Sequence, residues 1–430
     1  MVYRHRVTVL VICHSSAPQA LGGGERSLLE LAARWSRERP DVQLEFVVPD
    51  PEGLLVDALR ARDLVVHTVH SFPWLHRRPP RDAATRVRYQ RENSHAVATL
   101  RGLIRDLDVH LVITNTILNP WGAVAAGLEG VPHVWLPREY GDLDHGLSFQ
   151  YGREVTWTDI GRMSDLVVMN SRALAEHAAP WLADAPVLVE RPLIDADAAR
   201  RLQALASPSR EPDGPLRLLI AGKISPSKGQ LDAVEAVRLA RVRGVDVELD
   251  IVGPVAVDAD RTDVETAVRD AGLESVVRVH GPRADLVDAV GACDVGLVLS
   301  SWEAYGRVTV EFLLAGRPVI GYDRGGTVEI VDHGVTGELV PWGDVGGVAE
   351  AIARLAADRR RLRELSAAAR RRAEELNRPG ELISALSDVR PRPRALPELV
   401  GVLLAAVDEL PPAPPPPRSA WHKFRKALTR

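Results

Sequence analysis

The sequence predicts an α/β protein built from two doubly wound domains. Short runs of Val, Ile and Leu recur along the chain, with helical patterns between them. Continuous apolar strands of this kind belong to parallel sheets covered on both faces. The alternation runs twice. A polar segment rich in Pro and Ser, Ser207 to Pro215, divides the two halves and reads as an interdomain linker.

In the first half the predicted strands are Val7–Ile12, Leu44–Val48, Leu64–Val69, Val109–Thr114, His133–Leu136, Leu166–Met169 and Val187–Val189. Arg4, His5 and Arg6 precede the first run and faintly imitate a signal peptide. The run is short and no Ala-x-Ala-type site follows at a sensible distance, so a buried first strand is the expectation. In the second half the runs are Leu216–Ala221, Val245–Val252, Val276–His280, Val295–Leu299 and Pro318–Tyr322. Helical patterns without strands close this half, over 344–357, 360–377 and 394–409. The economical architecture is two Rossmann-like domains facing one another across a cleft. The expected boundaries are 1–206 for the first domain, 207–215 for the linker and 216–390 for the second. A C-terminal helix at 391–410 and a Pro-rich, basic tail at 411–430 follow.

Composition narrows the function classes. The 430 residues are too many for one ordinary core. A net charge of −4 makes the whole molecule no magnet for nucleic acid, which is not an expected partner. Cys13 and Cys293 are the two cysteines; they form no disulfide framework and no zinc spacing, which suits a reducing cytosol. No apolar run approaches the ~20 residues needed to span a bilayer. Four Asp-x-Asp pairs (106/108, 142/144, 195/197 and 258/260) read as solvated turns rather than metal sites, and no metal or other cofactor is expected.

Three segments can carry chemistry. Gly22-Gly23-Gly24-Glu25-Arg26-Ser27 follows the first strand and opens a helix. Glycine lets a ligand approach the backbone, and a helix N-terminus favours anions. An ordinary tight turn explains the same residues equally well. Gly222-Lys223-Ile224-Ser225-Pro226-Ser227-Lys228-Gly229 follows the first strand of the second half and sets two cations five residues apart. Ser300-Ser301-Trp302-Glu303-Ala304-Tyr305-Gly306-Arg307-Val308-Thr309-Val310-Glu311 places one carboxylate on a loop after a strand and a second on the following helix. In open parallel sheets the C-terminal ends of the strands are where ligands bind. Two carboxylates there can accept from the hydroxyls of two parts of one ligand.

The last stretch resembles the Glu-x7-Glu motif of the retaining GT-B glycosyltransferases of glycosyltransferase family 4. Gly316, Pro318, Gly325-Gly326, Glu329-Ile330 and Gly334 to Gly337 extend the likeness, which covers most of residues 216–341. Gly222-Lys223 to Lys228-Gly229 resembles the family's Gly-Arg-x4-Lys-Gly pattern, with Lys223 where the family usually has Arg. The resemblance implies the GT-B arrangement and a nucleoside-diphosphate-sugar donor. It gives Lys223 and Lys228 the departing diphosphate, Glu303 the donor sugar's hydroxyls and Glu311 the ribose diol. Gly222, Tyr305 and the amides of Gly306, Arg307 and Val308 join the donor site, as do Gly23 and Gly24, which match the family's Gly-Gly loop.

The first half matches less closely. After the strand at His133 comes Pro137-Arg138-Glu139, where family members commonly have His-Asp or His-Glu. An arginine cannot act as a base. Arg138 is therefore expected to position a substrate or offset phosphate charge. A subset of bacterial polysaccharide transferases carries a similar Arg-Glu. Asn170-Ser171 resembles the family's Asn-Ser, and either residue is also an adequate helix N-cap.

The implied activity is retaining transfer, without a metal, to a hydroxyl acceptor on a glycan or a lipid-linked substrate, in cell-surface glycan or glycolipid assembly. The expected location is the cytoplasm. A peripheral contact with anionic membrane through 418–430 is a further expectation. That segment carries five Lys or Arg and no acid, with Trp421, Phe424 and Leu428 on one helical face. Two alternatives stay open: a non-catalytic nucleotide-sugar-binding regulator or scaffold, and a nucleotide-sugar epimerase.

Overall fold

A computed structural model describes residues 7–80, 82–205, 214–255, 257–283 and 286–392. It divides into two units, one running to Pro192 and resuming at Pro379, the other beginning at Leu193 and running to Arg378.

Among its described residues the first unit holds nine strands: β1 (Val7–Ile12), β2 (Val42–Val48), β3 (Val65–Thr68), β4 (Leu75–His76), β5 (Val109–Thr114), β6 (His133–Trp135), β7 (Ser148–Phe149), β8 (Leu166–Met169) and β9 (Val187–Val189). Seven form a parallel sheet in the order β3-β2-β1-β5-β6-β8-β9, while β4 and β7 pair antiparallel beside it. The helices are α1 (Gly23–Glu38), α2 (Leu54–Arg60), α3 (Ala83–Asp106), α4 (Trp121–Glu129), α5 (Asp142–His145), α6 (Arg153–Met163) and α7 (Arg172–Ala178). Val9 to Ile12 are buried without a break, as a sheet covered on both faces requires. On α1, Leu28, Leu29, Leu31, Ala32 and Trp35 supply the buried face. Asp82 starts α3 by accepting the Thr85 amide, a cap that satisfies one of the helix's unpartnered first-turn donors.

The second unit begins with α8 (Ala196–Gln203). Its strands are β10 (Leu216–Ala221), β11 (Val247–Val252), β12 (Val277–His280), β13 (Val295–Val298), β14 (Val319–Tyr322) and β15 (Gly337–Val340), all parallel in the order β12-β11-β10-β13-β14-β15. The covering helices are α9 (Gln230–Val242), α10 (Asp258–Asp270), α11 (Val287–Ala292), α12 (Arg307–Leu314), α13 (Thr327–Ile330), α14 (Val345–Ala357) and α15 (Arg359–Leu376). Phe312 of α12 is fully buried over β13. A Cβ on Gly296 would stand 2.4 Å from its ring, so the glycine in that strand makes room for it. Truncating Phe312 to alanine would cost about 3–5 kcal/mol and loosen the helix that carries Glu311.

The unit boundaries correct the sequence expectation. The chain leaves the first unit after Pro192, not across 207–215, of which 207–213 lie outside the described residues. Ile194, Ala199 and Leu202 bury in the core of the second unit, and the Ile194 amide donates to Asn377 Oδ1 at 2.7 Å. Two apolar positions on a short helix do not say which core they join, so the pattern alone placed α8 in the wrong half. The chain then returns. Beyond Pro379, α16 (Leu382–Asp388) buries Leu382, Ile383 and Leu386 in the first unit's core. Glu190 accepts the Gly380 amide at 3.1 Å, and Arg34 donates to the Gly380 carbonyl at 2.8 Å. The helix expected over 394–409 and the 411–430 tail lie outside the described residues.

Candidate active site

Both sheets change direction of progression once. In the second unit β10 leads outward to β11 and β12, and the chain then crosses to β13 on the other side of β10. The C-terminal ends of β10 and β13 therefore flank a topological switch point, where the connecting loops diverge and leave a crevice. The two sequence motifs emerge at these strand ends.

Gly222 follows β10 with φ 141°, a conformation that L side chains rarely adopt. A Cβ on Gly253 would fall 1.8 Å from the Gly222 carbonyl oxygen, so the backbone is packed tightly there. The next residue, Lys223, is half-buried, and its carbonyl accepts from Gln230 Nε2 at 3.1 Å. One 3₁₀ turn, Pro226–Lys228, then brings Lys228 back across the crevice. Gly229 ends that turn with φ 73°, and a Cβ there would stand 2.1 Å from the Leu299 carbonyl oxygen. The Lys228 loop thus lies on the start of the Glu303 loop, a contact secured by Ser301 N donating to Ser227 O at 2.9 Å.

Lys228 Nζ reaches Glu303 Oε1 at 2.5 Å, and Ser300 Oγ donates to the same oxygen at 2.7 Å. Lys228 and Glu303 keep 20% and 14% of their side-chain exposure. That is enough to meet a ligand and too little for water to screen the pair fully. Lys228 lies 75 positions from Glu303, so the fold assembles that pair, whereas Ser300 lies 3 positions away and joins it locally.

Gly306 has φ 94° and precedes α12. Amides in the first turn of a helix have no carbonyl partner within the helix, and Arg307 and Val308 occupy that turn of α12. The Arg307 side chain is engaged elsewhere: it donates to the Leu193 carbonyl at 2.6 Å and lies 3.9 Å from Glu311 Oε1. Glu311 is half-buried, one helical turn from Arg307. Tyr305 was expected in the donor site. Its side chain is 3% exposed and belongs to the core with Val310 and Ile330.

The first unit has its own switch point, between β1 and β5. Gly23 and Gly24 are the first residues of α1, and neither has a positive φ. A Cβ on Gly24 would meet nothing within 4 Å. The chain's own packing thus gives no reason for glycine at 24. Asn115 follows β5, with its amide bonded to Ile12 O at 3.0 Å. Its Oδ1 accepts from Arg138 Nε at 2.8 Å, and Asn170 Nδ2 donates to the Arg138 carbonyl at 3.1 Å. Three strand ends thereby fix Arg138. Ser171, not Asn170, caps α7, accepting the Leu174 amide at 3.0 Å. Glu139 is buried and accepts from Thr116 Oγ1 and the Ile117 amide, a structural role that leaves Arg138 as the half-exposed member of the pair.

Two of the four Asp-x-Asp pairs, 142/144 and 195/197, have side chains that serve local structure, and Asp144 is buried rather than solvated. Asp144 accepts the Tyr140 and Gly141 amides, Asp142 pairs with Arg153, and Asp195 caps α8. Ser300, Asn115 and the loop residue Arg324 were not singled out from sequence. Ser300, three residues before Glu303, had a local signal. The others are joined to their partners by the fold alone.

Residues 203–372 match the family described as "Glycosyl transferases group 1". Among curated relatives, the amylovoran biosynthesis glycosyltransferase AmsK of Erwinia amylovora is 30% identical over 33% of this chain and 36% of its own length. A D-inositol 3-phosphate glycosyltransferase of Arthrobacter sp. is 33% identical over 31% of this chain and 34% of its own. The matches therefore span about a third of these relatives. Among solved structures, HepE of Anabaena in complex with UDP and glucose has a TM-score of 0.66 at 21% identity, covering 88% of this chain and 99% of that one. Sucrose-phosphate synthase from Thermosynechococcus elongatus has a TM-score of 0.64 at 20% identity, over 93% and 100%. The fold is that of the GT-B glycosyltransferases. Residues 203–372 thus carry the likeness to the glycosyl transferases group 1, and the curated relatives named above are glycosyltransferases.

Proposed function

We propose that the protein is a retaining, metal-independent glycosyltransferase that moves a sugar from a nucleoside diphosphate to a hydroxyl acceptor. The observation that carries this is the cluster of Lys228, Glu303 and Ser300 at the β10/β13 switch point, with Lys223 one turn away. In the reaction the bond from the anomeric carbon to the diphosphate oxygen breaks. A bond to the acceptor oxygen forms on the same face, and the acceptor's proton passes to the leaving phosphate. The ammonium groups of Lys223 and Lys228 offset the charge that develops on that phosphate, most strongly once water is excluded. The first amides of α12 add donors to the same group. Glu303 accepts from hydroxyls of the donor sugar and Glu311 from the ribose diol. Arg138, lacking basicity, orients a substrate.

UDP-sugars lead the donor test, because the similar HepE structure contains UDP. A thermal-shift panel of UDP-, GDP-, dTDP- and ADP-sugars should show one nucleotide series stabilising the protein, with the shift lost in Glu311→Ala. No shift from any nucleotide would sink the donor site and favour the scaffold reading. An inverted anomer, or activity abolished by EDTA and restored by Mg²⁺, would contradict the mechanism. A role in surface-glycan assembly is supported by the relative named for amylovoran biosynthesis. Among the described residues no helix is long and apolar enough to cross a membrane. Peripheral contact through 418–430 predicts flotation with anionic liposomes that removal of 411–430 abolishes.

A further inference from the structure

We infer that Arg324 is a positioning residue for Glu303, acting through a stack of side chains that joins the ends of three adjacent strands. The inference rests on the reading of Glu303 as a donor contact. Its guanidinium lies 4.2 Å from the ring centroid of Trp302 and 4.5 Å from that of Trp342. Trp302 directly precedes Glu303 on the loop after β13. Arg324 lies on the loop after β14, and Trp342 follows β15. These strands are neighbours in the sheet. A planar cation between two aromatic faces is held by both ring quadrupoles, and guanidinium suits such stacking better than ammonium does.

The backbone around the stack is equally committed to the Glu303 loop. The Gly326 amide donates to Glu303 O at 2.7 Å. Gly325 has φ 59°, and a Cβ there would lie 2.6 Å from Glu303 O and 3.0 Å from Glu303 N. A Cβ on Gly326 would lie 2.6 Å from Tyr305 O. The turn at 324–326 is thus pressed against the backbone of residues 303–305, and Arg324 ties its outer side to Trp302. The outer wall is exposed: Trp342 keeps 55% of its surface. An exposed stack adds little to the global core. Its effect falls on the loop whose carboxylate must hold the 2.5 Å contact to Lys228. Small displacements of a positioned group lower turnover steeply.

Lysine is scarce enough in this chain to make the effect directly visible. Of its 54 Lys and Arg residues, four are lysines: Lys223, Lys228, Lys423 and Lys426. Reductive ¹³C-methylation of the full chain therefore gives few dimethyl-lysine signals, and Lys228→Arg assigns the one from Lys228. Glu303→Gln marks where that signal lies when the ion pair is lost. Arg324→Ala and Trp342→Ala should each move it toward the Glu303→Gln position, and Arg324→Lys should move it less. In turnover, Arg324→Ala should lower kcat about tenfold while affinity for the free nucleotide stays within about twofold, because Glu311 is on another element. The inference is overturned if the Lys228 signal ignores Arg324→Ala, or if Glu303→Gln leaves it in place. It is also overturned if kcat and nucleotide affinity fall together with the melting midpoint, as a merely structural role requires. A signal that moves in a protein that transfers no sugar would uphold the positioning role and reject the enzymatic reading instead.

Discussion

Lys228 Nζ and Glu303 Oε1 stand 2.5 Å apart at the ends of two neighbouring strands, with Ser300 Oγ on the same oxygen at 2.7 Å. The arrangement sets a cation and a carboxylate side by side, each restraining the other. Neither charge is fully buried, so the contact is an ion pair that a ligand carrying both phosphate and hydroxyls can enter and divide.

The two residues should accordingly behave as one unit. Lys228→Ala and Glu303→Gln are each expected to lower kcat by about 10²–10³, the range for removing one electrostatic contact to the transition state. The double variant should be little worse than either single one, since the second change removes a partner already lost. Steady-state kinetics of the three variants checks this. Fully additive losses would mean that the residues act on separate steps.

Lys223 invites a different substitution. In a chain that uses arginine for nearly all its cations, lysine occurs where the family usually has arginine. Lys223→Ala should raise the donor KM and lower kcat. Lys223→Arg should retain activity and bind nucleotide more tightly, because a guanidinium grips phosphate at two points. Calorimetry with the free nucleoside diphosphate compares the two. Weaker binding in Lys223→Arg than in wild type would show that the crevice is shaped for the ammonium.

Much of this was legible in the sequence, and the reason is periodicity. Strands such as Val109–Thr114, Leu166–Met169 and Leu216–Ala221 have the ends that their apolar runs indicate, because a strand covered on both faces is mostly apolar; His110 and Arg217, each second in its strand, stand where the covering is incomplete. Glu303, Lys228 and Lys223 were legible as motif positions on strand-end loops. The ion pair between the first two was not, since a separation of 75 residues has no local signature. The same is true of Asn115 holding Arg138. The strand Gly337–Val340 was missed because Gly337 and Glu338 interrupt its apolar run. Gly337 is there for space: a Cβ would meet Val319 O at 2.1 Å. The stack on Arg324 was invisible because three residues on three loops form it.

The cysteines give a simple check of the two cores. Cys13 and Cys293 are both buried, and burial pushes both thiols up, Cys293 to about 12. Neither should react with a thiol-disulfide reagent at pH 8 in the folded protein, and both should react on denaturation. Rapid modification of one thiol in native buffer would report an open core around that residue.

Acid should weaken the first unit through two histidines. His76 is buried beside Gln150, whose Oε1 lies 3.2 Å from its Nε2, and desolvation lowers its pKa below the usual histidine range. His177 is lowered as well, first by desolvation and then by Arg153, with Asp142 and Asp144 opposing. A histidine whose folded pKa is depressed takes up its proton more readily in the unfolded chain. Its contribution to stability is complete above about pH 6.5 and is lost as pH falls through the lower folded value. The melting midpoint of the first unit should therefore drop between pH 7 and pH 5. The drop should be smaller in His76→Gln and His177→Gln, and smallest in the double variant, all followed by differential scanning calorimetry. A double variant with the same acid dependence as wild type would place the acid sensitivity elsewhere, with the paired carboxylates the next groups to test.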